Sequence, residues 1–180
     1  VAMNLFGGVV GSRLYNNTFV SYPGEGAGGV RFNGADNSFV FNNILDMRVG
    51  VNTFELVSGL WPTMDYNCII GGNGSPNPQP NDIAPASAGF LDKTKRVYLL
   101  TEGSLCRGEG AIGNSPGYDF WGNPMANIPD IGGFRYDRDL ENVLIGRLCN
   151  GQIYYDPPTC EQPFDFWRKR YNVRVVFGFE

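Results

Sequence analysis

The sequence predicts an all-β solenoid, and three observations predict it. A short phrase built on asparagine recurs: Tyr15-Asn16-Asn17-Thr18-Phe19-Val20, Phe41-Asn42-Asn43-Ile44-Leu45-Asp46 and Asp65-Tyr66-Asn67-Cys68-Ile69-Ile70. The steps from Asn17 to Asn43 and from Asn43 to Asn67 are 26 and 24 residues, and a steady period in the twenties marks stacked repeats that cannot bury an apolar face alone. The 25 glycines and 12 prolines favour short strands and turns, and no long segment sets apolar residues at helical spacing. With 180 residues the chain can build one domain with a core, and two only with difficulty.

Residues 1–72 read as the coils. In Phe39-Val40-Phe41-Asn42-Asn43-Ile44-Leu45 the alternate positions should share one face, so Phe39, Phe41 and Leu45 are expected in the core with Asn43 at a bend. A second alignment sets Gly29-Val30-Arg31-Phe32 on Gly50-Val51-Asn52-Thr53-Phe54. Neighbouring strands lie about 4.8 Å apart. Asn17, Asn43 and Asn67 are therefore expected to form a ladder, each amide donating to the next carbonyl and satisfying backbone groups at the bend. Phe19, Leu45 and Ile69 are expected to stack inside. Antiparallel hairpins would instead put Asn-Gly turns within the phrase, but Asn33-Gly34, Asn73-Gly74 and Asn150-Gly151 all lie outside it.

Residues 73–136 read as a proline-rich loop (73–88) followed by a glycine-rich solenoid-closing region. Residues 137–180 form an extension with a short helix expected at 137–148, capped by Asp139, and a final strand, Asn172–Phe179. The four cysteines include no Cys-x-x-Cys pair and histidine is absent, so no zinc site is expected. An even count fits two disulfides and an oxidising compartment. Cys149–Cys160 is the expected pair, closing a loop around Asp156-Pro157-Pro158, with Cys68 and Cys106 as the other candidates; four buried free thiols are the alternative. Asn16 and Asn73 head Asn-x-Ser/Thr triplets and are candidate N-glycosylation sites.

The net charge of −4 and pI near 4.8 speak against a nucleic-acid partner. No apolar run approaches the roughly 20 residues of a membrane span. Val1-Ala2-Met3 lacks the charged start of a signal peptide, so the sequence reads as a mature product or a piece of a longer chain.

A further set of motifs follows the coils in order: Phe90-Leu91-Asp92, Leu99 to Gly103-Ser104, Tyr118-Asp119-Phe120-Trp121-Gly122-Asn123-Pro124 and Pro129-Asp130-Ile131-Gly132-Gly133-Phe134. Together with Asp65-Tyr66-Asn67-Cys68-Ile69 they resemble the C-terminal part of secreted right-handed parallel β-helix proteins, the pectate-lyase-like group. Leu105 stands where that pattern has proline, and Arg135 where it has glutamate. The resemblance implies a right-handed parallel β-helix solenoid with a C-terminal closing region over its open end. The extra tail, 137–180, is not part of the resemblance.

The chemistry of such proteins sets the site expectations. A lyase needs a base and cations to neutralise a uronate, yet Arg13, Arg31 and Arg48 are the basic residues of the coils, with Lys93, Lys95 and Arg96 beyond them. Calcium would need clustered acids, and no clear ligand cluster is visible, so no cofactor or metal is assigned. A hydrolase needs two carboxylates about 5–9.5 Å apart; Asp36, Asp46, Glu55 and Asp65 do not align into a pair. No catalytic residue is assigned. Trp61, Tyr66, Trp121 and Trp167 could stack on sugar rings, with core packing as the competing role; Trp61, beside Gly59-Leu60 and Pro62, is the best exposed-loop candidate. Arg168, Lys169 and Arg170, set between Trp167 and Tyr171, could grip an anionic glycan or an acidic neighbour. The expectation is the C-terminal part of an extracellular or cell-surface protein, structural or glycan-contacting, with a polysaccharide as partner. Two alternatives stand beside it: a polysaccharide lyase or glycoside hydrolase with upstream catalytic coils, and a filament subunit or adhesin that self-associates through Val1–Val10 and Val173–Phe179.

Overall fold

The computed structural model describes residues 3–6, 11–22, 29–75, 77–120 and 122–136. The expected helix at 137–148, the strand 172–179, Cys149, Cys160 and most of Val1–Val10 lie outside them. Among the described residues the chain is all-β apart from one 3-10 turn, Lys93–Lys95. The strands are β1 (Met3–Phe6), β2 (Arg13–Tyr15), β3 (Thr18–Val20), β4 (Val30–Asn33), β5 (Phe39–Phe41), β6 (Ile44–Met47), β7 (Phe54–Ser58), β8 (Thr63–Asp65), β9 (Cys68–Gly71), β10 (Phe90–Asp92) and β11 (Val97–Leu100). The first nine deal themselves in turn to three parallel sheets, β1-β4-β7, β2-β5-β8 and β3-β6-β9. β10 and β11 form an antiparallel pair.

The parallel register puts like above like. Leu14, Val40 and Met64 align across the second sheet, and Phe19, Leu45 and Ile69 across the third. With Leu5, Val30, Phe32 and Phe54 of the first sheet they share one apolar core. Each of the larger side chains fully buried there contributes about 1.5–3 kcal/mol. The alternation expected through 39–45 does not run through the bend. Val40 enters the core, while Phe41 is covered from the other side, meeting Tyr15 edge-on at 6.0 Å. Asn42 lies between the strands at φ 60°, and this left-handed residue resets which face the chain presents. The second alignment is also shifted: Val30 pairs with Phe54, and Phe32 with Leu56. The glycine at 29 answers to a close approach, because a Cβ there would lie 1.9 Å from the Thr53 carbonyl oxygen.

The asparagine file is a continuous ladder. The backbone N–H and Nδ2 of Asn17 both donate to Asn43 Oδ1 at 3.0 Å, and those of Asn43 donate to Asn67 Oδ1 at 3.1 and 3.0 Å. A further rung follows. Asn67 donates in the same way to Asp82 Oδ1, at 2.8 and 3.2 Å, while Ile83 bridges Cys68 in parallel. Asp82 has acceptors and no side-chain donor, so it ends the file.

Burial pushes the Asp82 carboxyl above its ordinary 3.8, outweighing hydrogen bonds from Asn67 and Gln79, and the nearby Asp65 adds to the rise. The folded chain therefore holds this proton more tightly than the unfolded one. The resulting stability is fully present below pH 3.8 and is lost as pH rises through the folded value. Asp82→Asn removes the titration. Its urea midpoint should fall furthest behind the native one near about pH 3.5, with the gap narrowing toward about pH 7; a gap that does not move with pH would contradict this account.

The closing region takes a different place from the one expected. It covers the outward face of sheet β3-β6-β9, where Ile44, Cys68 and Ile70 pack with Ala88, Leu100, Cys106 and Ile131 in a second core. That face is apolar and needs cover. A Cys68–Cys106 disulfide spans 38 residues and fixes the cover to the sheet. Lys93 reaches back to the buried Asp46 at 2.6 Å. At Gly132 the cover runs so close to the sheet that a Cβ would lie 2.6 Å from Ile44 Cδ1.

Candidate functional site

The repeated corner divides its labour between two residues. The second asparagine points inward to the ladder, and the first holds the left-handed turn, at φ 52° in Asn16 and 60° in Asn42. The first asparagine also grips the cover. Asn16 Nδ2 donates to the carbonyls of Asp130 (3.0 Å) and Gly132 (3.3 Å). Asn42 Nδ2 donates to Asn114 O at 2.9 Å, and its Oδ1 accepts from Ala111 N at 2.7 Å. In the closing motif itself, Asp130 accepts from Gly108 N at 2.8 Å and from Tyr136 N. Asp119 accepts from both Asn123 N and Nδ2.

A cleft of about 580 Å³ opens where the cover meets the first repeat. Residues 16–19 of the repeat line it together with Tyr98, Tyr118, Phe120 and Phe134. Tyr118 is 60% and Phe120 76% exposed. Phe120 stands edge-on to Phe134 at 5.6 Å, and its N–H donates to Gly133 O at 2.7 Å. The Tyr98 hydroxyl lies 2.8 Å from that of Tyr22, and its ring meets Phe90 edge-on at 5.5 Å. These contacts hold aromatic faces in position beside Thr18, whose hydroxyl accepts from Gly133 N at 3.0 Å and keeps its own O–H as a donor. Flat apolar faces next to hydrogen-bonding groups suit a ligand with apolar faces and hydroxyl edges.

The residues singled out from the sequence fall in several places. Tyr66 lines a second cleft, of about 520 Å³, with Glu109, Ile112 and Ile128. Trp61 is not an exposed platform: it is half-buried against the shared core, edge-on to Phe32 at 6.4 Å. Asn16 is buried and its amide is engaged, so a glycan on Nδ2 cannot coexist with this packing. Asn73 is exposed, its amide 2.8 Å from Asn52 Oδ1. Trp121, Trp167, Arg168, Lys169 and Arg170 lie outside the described residues. The four acids each serve local structure. Asp46 pairs with Lys93 and Glu55 with Arg31, Asp36 accepts from Leu60 N, and Asp65 accepts from Tyr66 N.

Tyr98, Tyr118 and Phe120 escaped the sequence reading. The aromatic run Tyr118-Asp119-Phe120-Trp121 was a usable signal, hidden by its place in a closing motif; Tyr98 gives none. Among the described residues no group of three His, Cys, Asp or Glu side chains is placed to hold a metal ion. None of their helices is long and apolar enough to cross a membrane. Compared with family models, curated proteins and solved structures, the chain finds no match.

Proposed function

We propose that this chain is part of a secreted right-handed parallel β-helix protein and makes contact with a glycan in an extracellular or cell-surface assembly. The observation that carries the reading is the aromatic cleft, whose exposed Tyr118 and Phe120 lie beside the first asparagine corner. Support for the fold comes from the three parallel sheets to which successive strands go in turn, and support for an oxidising compartment from the buried disulfide. The role is binding and scaffolding, because the acids of the repeats singled out above are engaged in structure and, among the described residues, the cleft's carboxylate, Asp119, is held by Asn123.

Screening the full chain against a panel of neutral and acidic oligosaccharides tests this. Tyr118→Ala and Phe120→Ala should each weaken the best ligand about tenfold, the scale of one stacked ring, with the unfolding midpoint unchanged. A native chain that binds no member of the panel, or variants that bind as well as it does, would remove the reading. Release of unsaturated uronides or reducing ends would replace it with a catalytic one.

A further inference from the structure

The corner column changes chemistry at its third step. Asn16, Asn42 and Tyr66 occupy equivalent positions, and all three are left-handed. Asparagine tolerates that backbone, whereas a tyrosine adopts it only under strain. Tyr66 sits at φ 57°. The two asparagines also clamp the cover, and Tyr66 cannot. The segment 108–114, which Asn42 holds at Ala111 and Asn114, instead lines a cleft of about 520 Å³ with the tyrosine on its wall.

Neither apolar core accounts for the exception. Tyr66 is half-buried but belongs to neither, and its hydroxyl has no partner among the described residues. On the same cleft, Ile112 and Ile128 are 71% and 51% exposed. The Glu109 carboxylate and the Asn114 side-chain amide, also on the cleft, make no hydrogen bond among the described residues. Strain held at one position, where two equivalent positions show the relaxed solution, points to a use for the side chain.

We infer that Tyr66 is the stacking platform of a second sugar subsite, which takes a neutral pyranose unit of the glycan proposed above and so rests on that reading. The ring covers one face of the sugar. Ile112 and Ile128 flank the other, and Glu109 and Asn114 meet its hydroxyls. A uronate is disfavoured, because among the described residues the wall carries the carboxyl of Glu109 and no lysine or arginine.

Titration calorimetry of the full chain with cellohexaose, xylohexaose and mannohexaose, paired with thermal unfolding, tests the inference. Tyr66→Asn should melt about 2–4 °C higher, because it restores the residue used at the other corners. It should also lose affinity about tenfold or more, while Tyr66→Phe keeps it within about twofold. If a hexaose binds and Tyr66→Asn binds it as the native chain does, with Phe120→Ala removing it, the subsite is wrong and the aromatic cleft stands. A lower melting point for Tyr66→Asn makes the tyrosine a packing residue and likewise overturns the subsite. Failure of all three sugars to bind the native chain overturns the subsite, and acidic sugars then decide the broader reading.

Discussion

Asn43→Ala is expected to cost at least about 4 kcal/mol, enough to leave the repeats largely unfolded at room temperature if the native chain has an ordinary 5–15 kcal/mol in hand. Asn43 is fully buried at the middle of the ladder. Its Nδ2 lies 2.8 Å from Leu14 O, 3.0 Å from Phe41 O and 3.0 Å from Asn67 Oδ1, while its Oδ1 takes both donors of Asn17. Alanine leaves these groups in the dark without water, at about 1–3 kcal/mol for each one stranded. Asn17→Ala, at the half-buried first rung, should cost about 1 kcal/mol. Urea unfolding followed by circular dichroism checks the pair. Equal losses at the two positions would mean that the file of amides is incidental to stability.

Breaking the Cys68–Cys106 disulfide ranks second. The bridge closes a loop of 38 residues between two fully buried sulfurs. Chain entropy alone puts its worth near 4 kcal/mol, and measured values for such bridges run about 2–4. Cys68→Ala with Cys106→Ala should lower stability by that amount. Because the bridge anchors the cover to β9, the double variant should also be cut by protease between 84 and 133 before the repeats are touched. Mass spectrometry of timed digests reads this directly. A variant that loses its repeats and cover together would show that the second core needs no bridge.

Much of the fold was legible because a parallel stack repeats its own side chains. Each rung sets a residue beside its counterpart about 24 to 26 positions on, so Asn17-Asn43-Asn67 and Phe19-Leu45-Ile69 could be read from spacing alone. Asp82 was missed for the same reason. It follows Asn67 by only 15 positions and is not an asparagine, yet the backbone brings it to the same file. The error at Phe39 and Phe41 has a local cause: an alternation rule holds only while the backbone stays extended, and Asn42 interrupts it. The aromatic cleft was less legible. Its lining comes from residues 16–19 and from residues near 98, 118 and 134, and no spacing rule joins those segments.

By itself, then, the sequence determined the all-β character, the parallel stacking, the amide file and the residues inside it, because a periodic structure writes its contacts as a period. Tertiary structure alone decided where the glycine-rich segment lies, which cysteines join among the described residues, and which aromatic rings stand exposed together. Those outcomes rest on single contacts between distant positions, such as Asn16 with Asp130 across 114 residues, that occur once and leave no repeating trace. They follow from the need to cover the outward apolar face of Ile44, Cys68 and Ile70, a demand that can be read only once the strands are folded into sheets.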